Sequence, residues 1–376
     1  KAYKTGILNH KTEFIWVGLG TFVQLVVGLF TIKLLTRSLG PGQYGMLSLF
    51  LSGIQLIETV IFSPLIQGAG RFSFYTSAIQ HAYQVITPER KRLFYITCSA
   101  LLIGSLYFFY KGTIVYGVLT LFCIPMIYFD IRKEFMYALY NADLKRKLIT
   151  QLRSLEQLLK IILVFILVYF IHATDILSVV GGIYIMSTSA LFLILLRKTR
   201  DDYPLDNSIS FTEGKDLKRK IINFAIPFAF TSIVLWMHTW ADRWILNEYL
   251  GLKSVGIYTS YVQIAYVPFN ILGTLAAGVF APILFKQVEK VKTLKEFYVF
   301  RSKIRYMLFG YMALSLVALV FILVVKTFIL NALVPRNYIT DGMLLFYIST
   351  GAVFASYSQM QTILSLHTSG ESRLVL

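Results

Sequence analysis

Apolar residues run along the chain in ten blocks of about 20, the length a helix needs to cross the hydrocarbon of a bilayer, and charged residues or Gly and Pro bound each block. The blocks lie near 14–35, 44–66, 94–110, 113–130, 158–171, 176–196, 221–246, 255–282, 306–325 and 342–364. The fifth is short unless it begins near Ser154, which takes Lys160 into the helix. The pattern predicts an all-α polytopic membrane protein. Pro125, Pro227, Pro268 and Pro282 fall inside blocks, where a missing N–H bends a helix.

Composition narrows this reading. Of 376 residues, 56% are apolar and 15% charged, against roughly a quarter charged in an ordinary soluble domain. So thin a polar skin excludes a soluble enzyme. Thirty-six Lys and Arg against 19 Asp and Glu leave +17. Alternate connections (1–13, 67–93, 131–157, 197–220, 283–305 and 365–376) hold 28 of the cations and the opposite set 7. By the positive-inside rule the N-terminus and the basic connections are cytoplasmic. The charge is a topology signal and not a nucleic-acid footprint, although clusters such as Lys145–Lys147 or Lys218–Lys220 also suit anionic headgroups. Cys98 and Cys123 lie in apolar runs, with no His or Cys spacing for a metal or a disulfide framework.

An internal repeat follows the first and seventh blocks. Leu34-Leu35-Thr36-Arg37-Ser38-Leu39-Gly40-Pro41-Gly42-Gln43-Tyr44-Gly45 and Ile245-Leu246-Asn247-Glu248-Tyr249-Leu250-Gly251-Leu252-Lys253-Ser254-Val255-Gly256 both read aliphatic-Leu-x3-Leu-Gly-x4-Gly. Both lie on the outer side, where a tight turn between helices calls for positive φ and close approach. The offset of 211 positions with six blocks between implies two parallel-repeat six-helix bundles. The expected lobes are 1–205 and 221–376, joined by a polar linker at 206–220. About ten of an expected twelve helices are present, with Leu374-Val375-Leu376 as the start of an eleventh.

On these residues the sequence resembles the polysaccharide flippases of the Wzx type, in the superfamily that also holds multidrug/toxic-compound exporters and lipid II flippases. Arg37-Ser38-Leu39-Gly40-Pro41-Gly42-Gln43-Tyr44-Gly45 is similar to that family's Arg-x-Leu-Gly-x-x-x-Tyr-Gly signature. Asp242 through Gly251, followed by Val255-Gly256-Ile257-Tyr258, resembles its second Gly-x4-Gly-x-Tyr pattern. The resemblance implies transport of an undecaprenyl-diphosphate-linked oligosaccharide from the cytoplasmic to the periplasmic leaflet of a bacterial inner membrane. It also implies partners: membrane lipids, a coupling proton or sodium ion, and a glycan polymerase with its assembly proteins. It calls for no cofactor.

Ionisable groups at membrane depth are costly and face a cavity or the bundle interior. Lys33, Arg37, Arg71 and Arg243 form one candidate set, since Arg forks match phosphate oxygens; snorkelling of a side chain near a helix end is the bland alternative. Glu58 and Asp242 are candidates for ion coupling, and for Asp242 a salt bridge to Arg243 competes. Gln24, Gln263 and Asn270, with Gln55, Tyr357, Gln359 and Gln361, either bond sugar hydroxyls or bond one another across helices. His238 is read as a lone hydrogen-bonded histidine. Two rival readings stay open: a cation/drug antiporter of the same superfamily, which wants an acidic cavity, and a membrane glycan polymerase or glycosyltransferase. The short outer connections carry no paired carboxylates, no Gly-rich phosphate loop and no Ser/His/Asp set for the latter.

Overall fold

A computed structural model describes residues 2–73, 79–143, 145–170, 175–202, 211–288 and 294–369. Among them are ten long helices and no strand. Helix α1 is Ala2–Ser38. Helix α2 runs from Pro41–Ile57 through a π-helical turn, Glu58–Phe62, into Ser63–Ser73. Then come α3 (Ile79–Tyr110), α4 (Ile114–Ala142) and α5 (Arg146–Tyr169). Helix α6 joins Ile176–Val179, a second π-helical turn at Val180–Ile185 and Met186–Asp202. The helical stretch Phe211–Val288 is two helices, because Gly251 breaks it at φ 75° and ψ 173°; 211–250 is α7 and 252–288 is α8. Helix α9 (Leu294–Leu333), a 3₁₀ turn at Arg336–Tyr338 and α10 (Gly342–Ser369) complete the chain.

Each expected block lies within one of these helices, and the five connections expected on the outer side are short. Residues 39–40, 111–113, 251 and 334–341 make four of them, and the fifth, between Tyr169 and Ile176, falls largely outside the described residues; these connections mark the hairpin end, and the opposite end is the basic end. Gly112, at φ 73°, closes α3 by the C-terminal device glycine permits, with the amides of Gly112 and Thr113 returning to the Phe109 and Phe108 carbonyls at 3.0 and 2.9 Å. Asp175 caps α6 by accepting from the Ser178 amide at 2.9 Å. At the basic end the structure departs from expectation. Helices continue through most of 67–93, 131–157 and 283–305, so the connection after α4 shrinks to 143–145. The polar linker after Asp202 and the segment Leu374–Leu376 lie outside the described residues, apart from 211–220, which begin α7.

Six described stretches are long and apolar enough to cross a membrane, among them Gly214–Gly273, which contains the break at Gly251. Helix α5 fails that test because Arg153, Glu156 and Lys160 ride in it. The helix exteriors expose large apolar side chains such as Ile103, Leu106, Val317, Val324 and Phe328, a surface that lipid tolerates and water does not.

The helices gather into two compact units, Leu34–Gly256 and Lys1–Lys33 with Ile257–Leu376. In the first, one core packs Leu65, Ala69, Ile86, Phe135, Leu139, Leu217 and Ile221, drawn from α2, α3, α4 and α7, and a second packs Met136, Tyr140, Leu152, Leu191 and Leu195 of α4, α5 and α6. In the other unit Phe300, Tyr311 and Met360 join α9 to α10.

Candidate functional site

The two copies of the repeated hairpin meet one another. A Cβ on Gly45, in the second turn of α2, would overlap the carbonyl oxygen of Leu252 and lie 2.9 Å from the amide nitrogen of Gly256. A Cβ on Gly256, at the start of α8, would overlap the carbonyl oxygen of Pro41 and lie 2.9 Å from the nitrogen of Gly45. With the offset of 211, position 45 is the equivalent of 256 and 41 of 252. The contact is therefore its own image under a local two-fold, and no side chain fits at either glycine. The expectation of positive φ holds at Gly251 but not at Gly40, which is extended at φ −65° and ψ 160°. Pro41 explains this: the residue before a proline is pushed to extended backbone, and proline itself starts a helix without loss.

From this crossing α2 stays against α7 for its whole length. The indole of Trp236 donates to the Ser52 carbonyl and that of Trp244 to the Ser52 hydroxyl, both at 2.9 Å, and Ser52 is fully buried. Near the basic end Gly68 lies against Ile221, and Phe72 meets Phe224 edge-on at 6.2 Å.

The expected site residues fall in different settings. Arg71, exposed, stacks over the Phe224 ring at 5.1 Å. Arg37 is exposed in the last turn of α1 and Lys33, one turn earlier, is half-buried. Arg243 is instead buried: it donates to the Thr239 carbonyl at 2.8 Å and to Asp242 at 3.1 Å, and covers the Trp240 ring at 4.4 Å. The salt bridge weighed for Asp242 is thus formed through one guanidinium nitrogen, while the buried Nε of Arg243 meets no acceptor among the described residues. In the second unit Gln24 is half-buried on α1, while Gln263 and Asn270 are exposed on α8, seven positions apart and so on one face.

Glu58 opens the π-helical turn of α2, widened just before Pro64, whose ring displaces the carbonyl four residues back. Its Oε2 accepts from Gln55 at 3.1 Å, while its buried Oε1 receives no donor among the described residues. Along the sequence Glu58 has no charged neighbour in its span, but in space it feels Asp130, Lys133, Glu134 and Lys160. Of the charge cluster they belong to, Lys133, Glu134, Arg153 and Glu156 fall in the expected connection 131–157 while Asp130 and Lys160 fall in apolar blocks, and in the structure Lys133 and Glu156 are buried between helices. Lys133, 4% exposed, donates to Asp130 at 2.6 Å and to Glu156 of α5 at 2.7 Å; Glu156 also takes Lys160 at 3.1 Å. Arg153 pairs with Glu134 at 3.2 Å and covers the Tyr137 ring, and Lys160 faces Tyr184 in the π-helical turn of α6. The signal for this cluster was the i,i+3 spacing of Asp130 to Lys133 and the i,i+4 spacing of Glu156 to Lys160.

The comparisons with known proteins bear on this arrangement. The sequence profile of the family described as "Polysaccharide biosynthesis protein" matches residues 11–288, a stretch that contains both hairpins. The chain belongs to that family. A search of the curated proteins matches none of them to it. Among solved structures it is similar to a multidrug resistance MATE family transporter of the MOP superfamily. The inward-facing conformation gives a TM-score of 0.59 at 14% identity, over 93% of this chain and 83% of that one; the outward-facing conformation gives 0.57 at 14%, over 95% and 85%. A MATE in complex with MaD3S gives 0.55 at 14%, over 96% and 85%. At such identity the likeness is one of fold.

The chain is thus a member of the polysaccharide biosynthesis family with several membrane-spanning helices and the fold of the MATE transporters. For such a family member three features escaped the sequence reading: the reciprocal glycine contact, the Ser52 anchor for two tryptophans, and the buried Lys133 cluster. Among the described residues no group of three or more His, Cys, Asp or Glu is placed to hold a metal ion.

Proposed function

We propose that the chain flips an undecaprenyl-diphosphate-linked oligosaccharide across a bacterial cytoplasmic membrane, from the inner to the outer leaflet, by alternating access. In this reading the N-terminus and the basic end are cytoplasmic, the hairpin end is periplasmic, and 1–205 and 221–376 act as two halves linked by 206–220. The carrying observation is the reciprocal contact of Gly45 and Gly256. Alternating access needs equivalent parts of the two repeats to close on one side and part in the other state, and these backbones are in contact at the hairpin end. A glycan's hydroxyls each cost several kcal/mol to strip of water unreplaced, so a polar route with the lipid tail left in the bilayer removes the barrier.

Within this reading Arg71 at the basic end receives the diphosphate on entry and Arg37 at the hairpin end, with Lys33 in support, meets it on release; Arg37 and Arg71 are exposed with no carboxylate partner among the described residues. Arg243, neutralised by Asp242, serves the helix turn first. Gln24, Gln263 and Asn270 bond the sugar. Glu58 carries the coupling proton or sodium ion, because its buried Oε1 receives no donor among the described residues and its charge is felt by Lys133 and Lys160. Asp242, tied to Arg243, is the weaker coupling site. A glycan polymerase and assembly proteins take up the product. The fold likeness to a drug transporter supports the second reading, a cation/drug antiporter.

The test is translocation in proteoliposomes of a polyprenyl-diphosphate oligosaccharide, read by lectin access to each leaflet. Unaltered glycan crosses in the intact chain, Arg71→Gln slows it about tenfold, the scale of one lost charge-assisted bond, and Glu58→Gln removes the dependence on an ion gradient. Export of an organic cation with no glycan movement supports the antiporter instead, and an altered glycan an enzyme.

A further inference from the structure

Two basic triplets far apart in the sequence, Arg90-Lys91-Arg92 about three turns into α3 and Lys218-Arg219-Lys220 about two turns into α7, converge in space. Ile86, Leu217 and Ile221 share one apolar core, and Lys218 reaches Glu89 at 2.5 Å. Arg90 turns inward over the Phe135 ring at 5.4 Å, which leaves Lys91 and Arg92 outward. Lys91, Arg92, Lys215, Arg219 and Lys220 are all exposed and form no ion pair among the described residues.

What lies beside these cations decides their partner. Arg92, Ile96, Ser99, Ile103, Leu106 and Tyr110 recur at intervals of four and three, as do Arg219, Asn223, Ile226, Phe230, Val234 and Met237, and all are exposed. Each set is one stripe of its helix. Eighteen positions separate the cation from the far end of each stripe, about 27 Å at 1.5 Å per residue, which matches a hydrocarbon core of roughly 30 Å. Each helix therefore stands a cation at one headgroup layer and presents apolar side chains to the acyl chains beside it.

We infer that the basic segments of α3 and α7, where they converge, are a binding site for an anionic phospholipid, its phosphate held by Lys91, Arg92, Arg219 and Lys220 and its acyl chains lying along the two stripes. A soluble anion has no use for the stripes, and a zwitterionic lipid leaves most of the charge unmatched. The lipid belongs to the cytoplasmic leaflet, which rests on the orientation proposed above; retention itself does not.

Native mass spectrometry and thermal unfolding of the full chain in detergent, with phosphatidylglycerol or phosphatidylcholine of the same acyl chains, test the site without any transport step. Phosphatidylglycerol is retained and raises the unfolding temperature, phosphatidylcholine does neither, and the difference fades in high salt. The quadruple variant Lys91→Gln, Arg92→Gln, Arg219→Gln, Lys220→Gln binds phosphatidylglycerol at least about tenfold more weakly, while Arg92→Lys with Arg219→Lys keeps most of the binding. Equal retention of both lipids by the intact chain, or undiminished phosphatidylglycerol binding by the quadruple variant, overturns the inference. So does a quadruple variant that loses an added polyprenyl diphosphate but keeps phosphatidylglycerol, since the patch then serves the transported lipid. Failure of the translocation assay leaves these readings unchanged.

Discussion

The first hairpin passes from α1 to α2 through Gly40, extended at φ −65° with Pro41 as the first helical residue, whereas the second passes from α7 to α8 through Gly251 at φ 75°, followed by Leu252. The two turns are made by different chemistry. Five residues on, the difference disappears, because Gly45 and Gly256 each meet the other repeat's backbone. The repeat Gly-x4-Gly thus carries two separate demands: its first glycine answers to the local turn and only in the second copy needs left-handed backbone, while its last answers to the partner hairpin in both copies.

Substitutions can break that division in order of size. Gly256→Ala and Gly45→Ala have the largest effect, since a methyl group must displace backbone and not a flexible side chain. Each costs about 3 kcal/mol or more, read as a fall of several degrees in unfolding temperature in detergent, with similar losses from the two because the contact is reciprocal. A large loss from one and none from the other contradicts the two-fold. Gly251→Ala comes next at about 1–3 kcal/mol, the cost of an L side chain at φ 75° and ψ 173°, backbone that is essentially glycine's alone. Gly40→Ala is the smallest and has the opposite sign. Its φ suits alanine and no atom lies within 4 Å of the added carbon, so a gain of about 0.5 kcal/mol from a stiffer unfolded chain is expected. Comparable losses from Gly40→Ala and Gly251→Ala would show that both glycines do the same job.

The hairpin end was legible because its signals are local and repeated. Runs of about 20 apolar residues marked each helix, and the 211-residue offset put Gly45 and Gly256 in equivalent places before any contact was known. The same logic failed at the basic end. A charged stretch such as 131–157 looks like a water-exposed connection, yet its Lys133 and Glu156 pair with each other between α4 and α5, and Glu156 also takes Lys160 of the fifth block; pairing is what allows a charge to be buried. Glu58 looked isolated for a related reason: its neighbours come from other helices, which a scan of its own span does not see. Arg243 is the reverse case, since its nearness to a helix end suggested an open setting while Thr239, Trp240 and Asp242 lie against its guanidinium.

The central claim is that the reciprocal glycine contact is the gate at the hairpin end and must open in each transport cycle. Spin labels at the exposed positions Gln43 and Lys253, one on each hairpin, introduced as Gln43→Cys and Lys253→Cys after replacing Cys98 and Cys123, report on it directly. Pulsed dipolar distances in proteoliposomes should show one short population at rest and a second, longer one when polyprenyl-diphosphate oligosaccharide and an ion gradient are supplied together. A single short distance that persists while the labelled chain is moving glycan would contradict the claim.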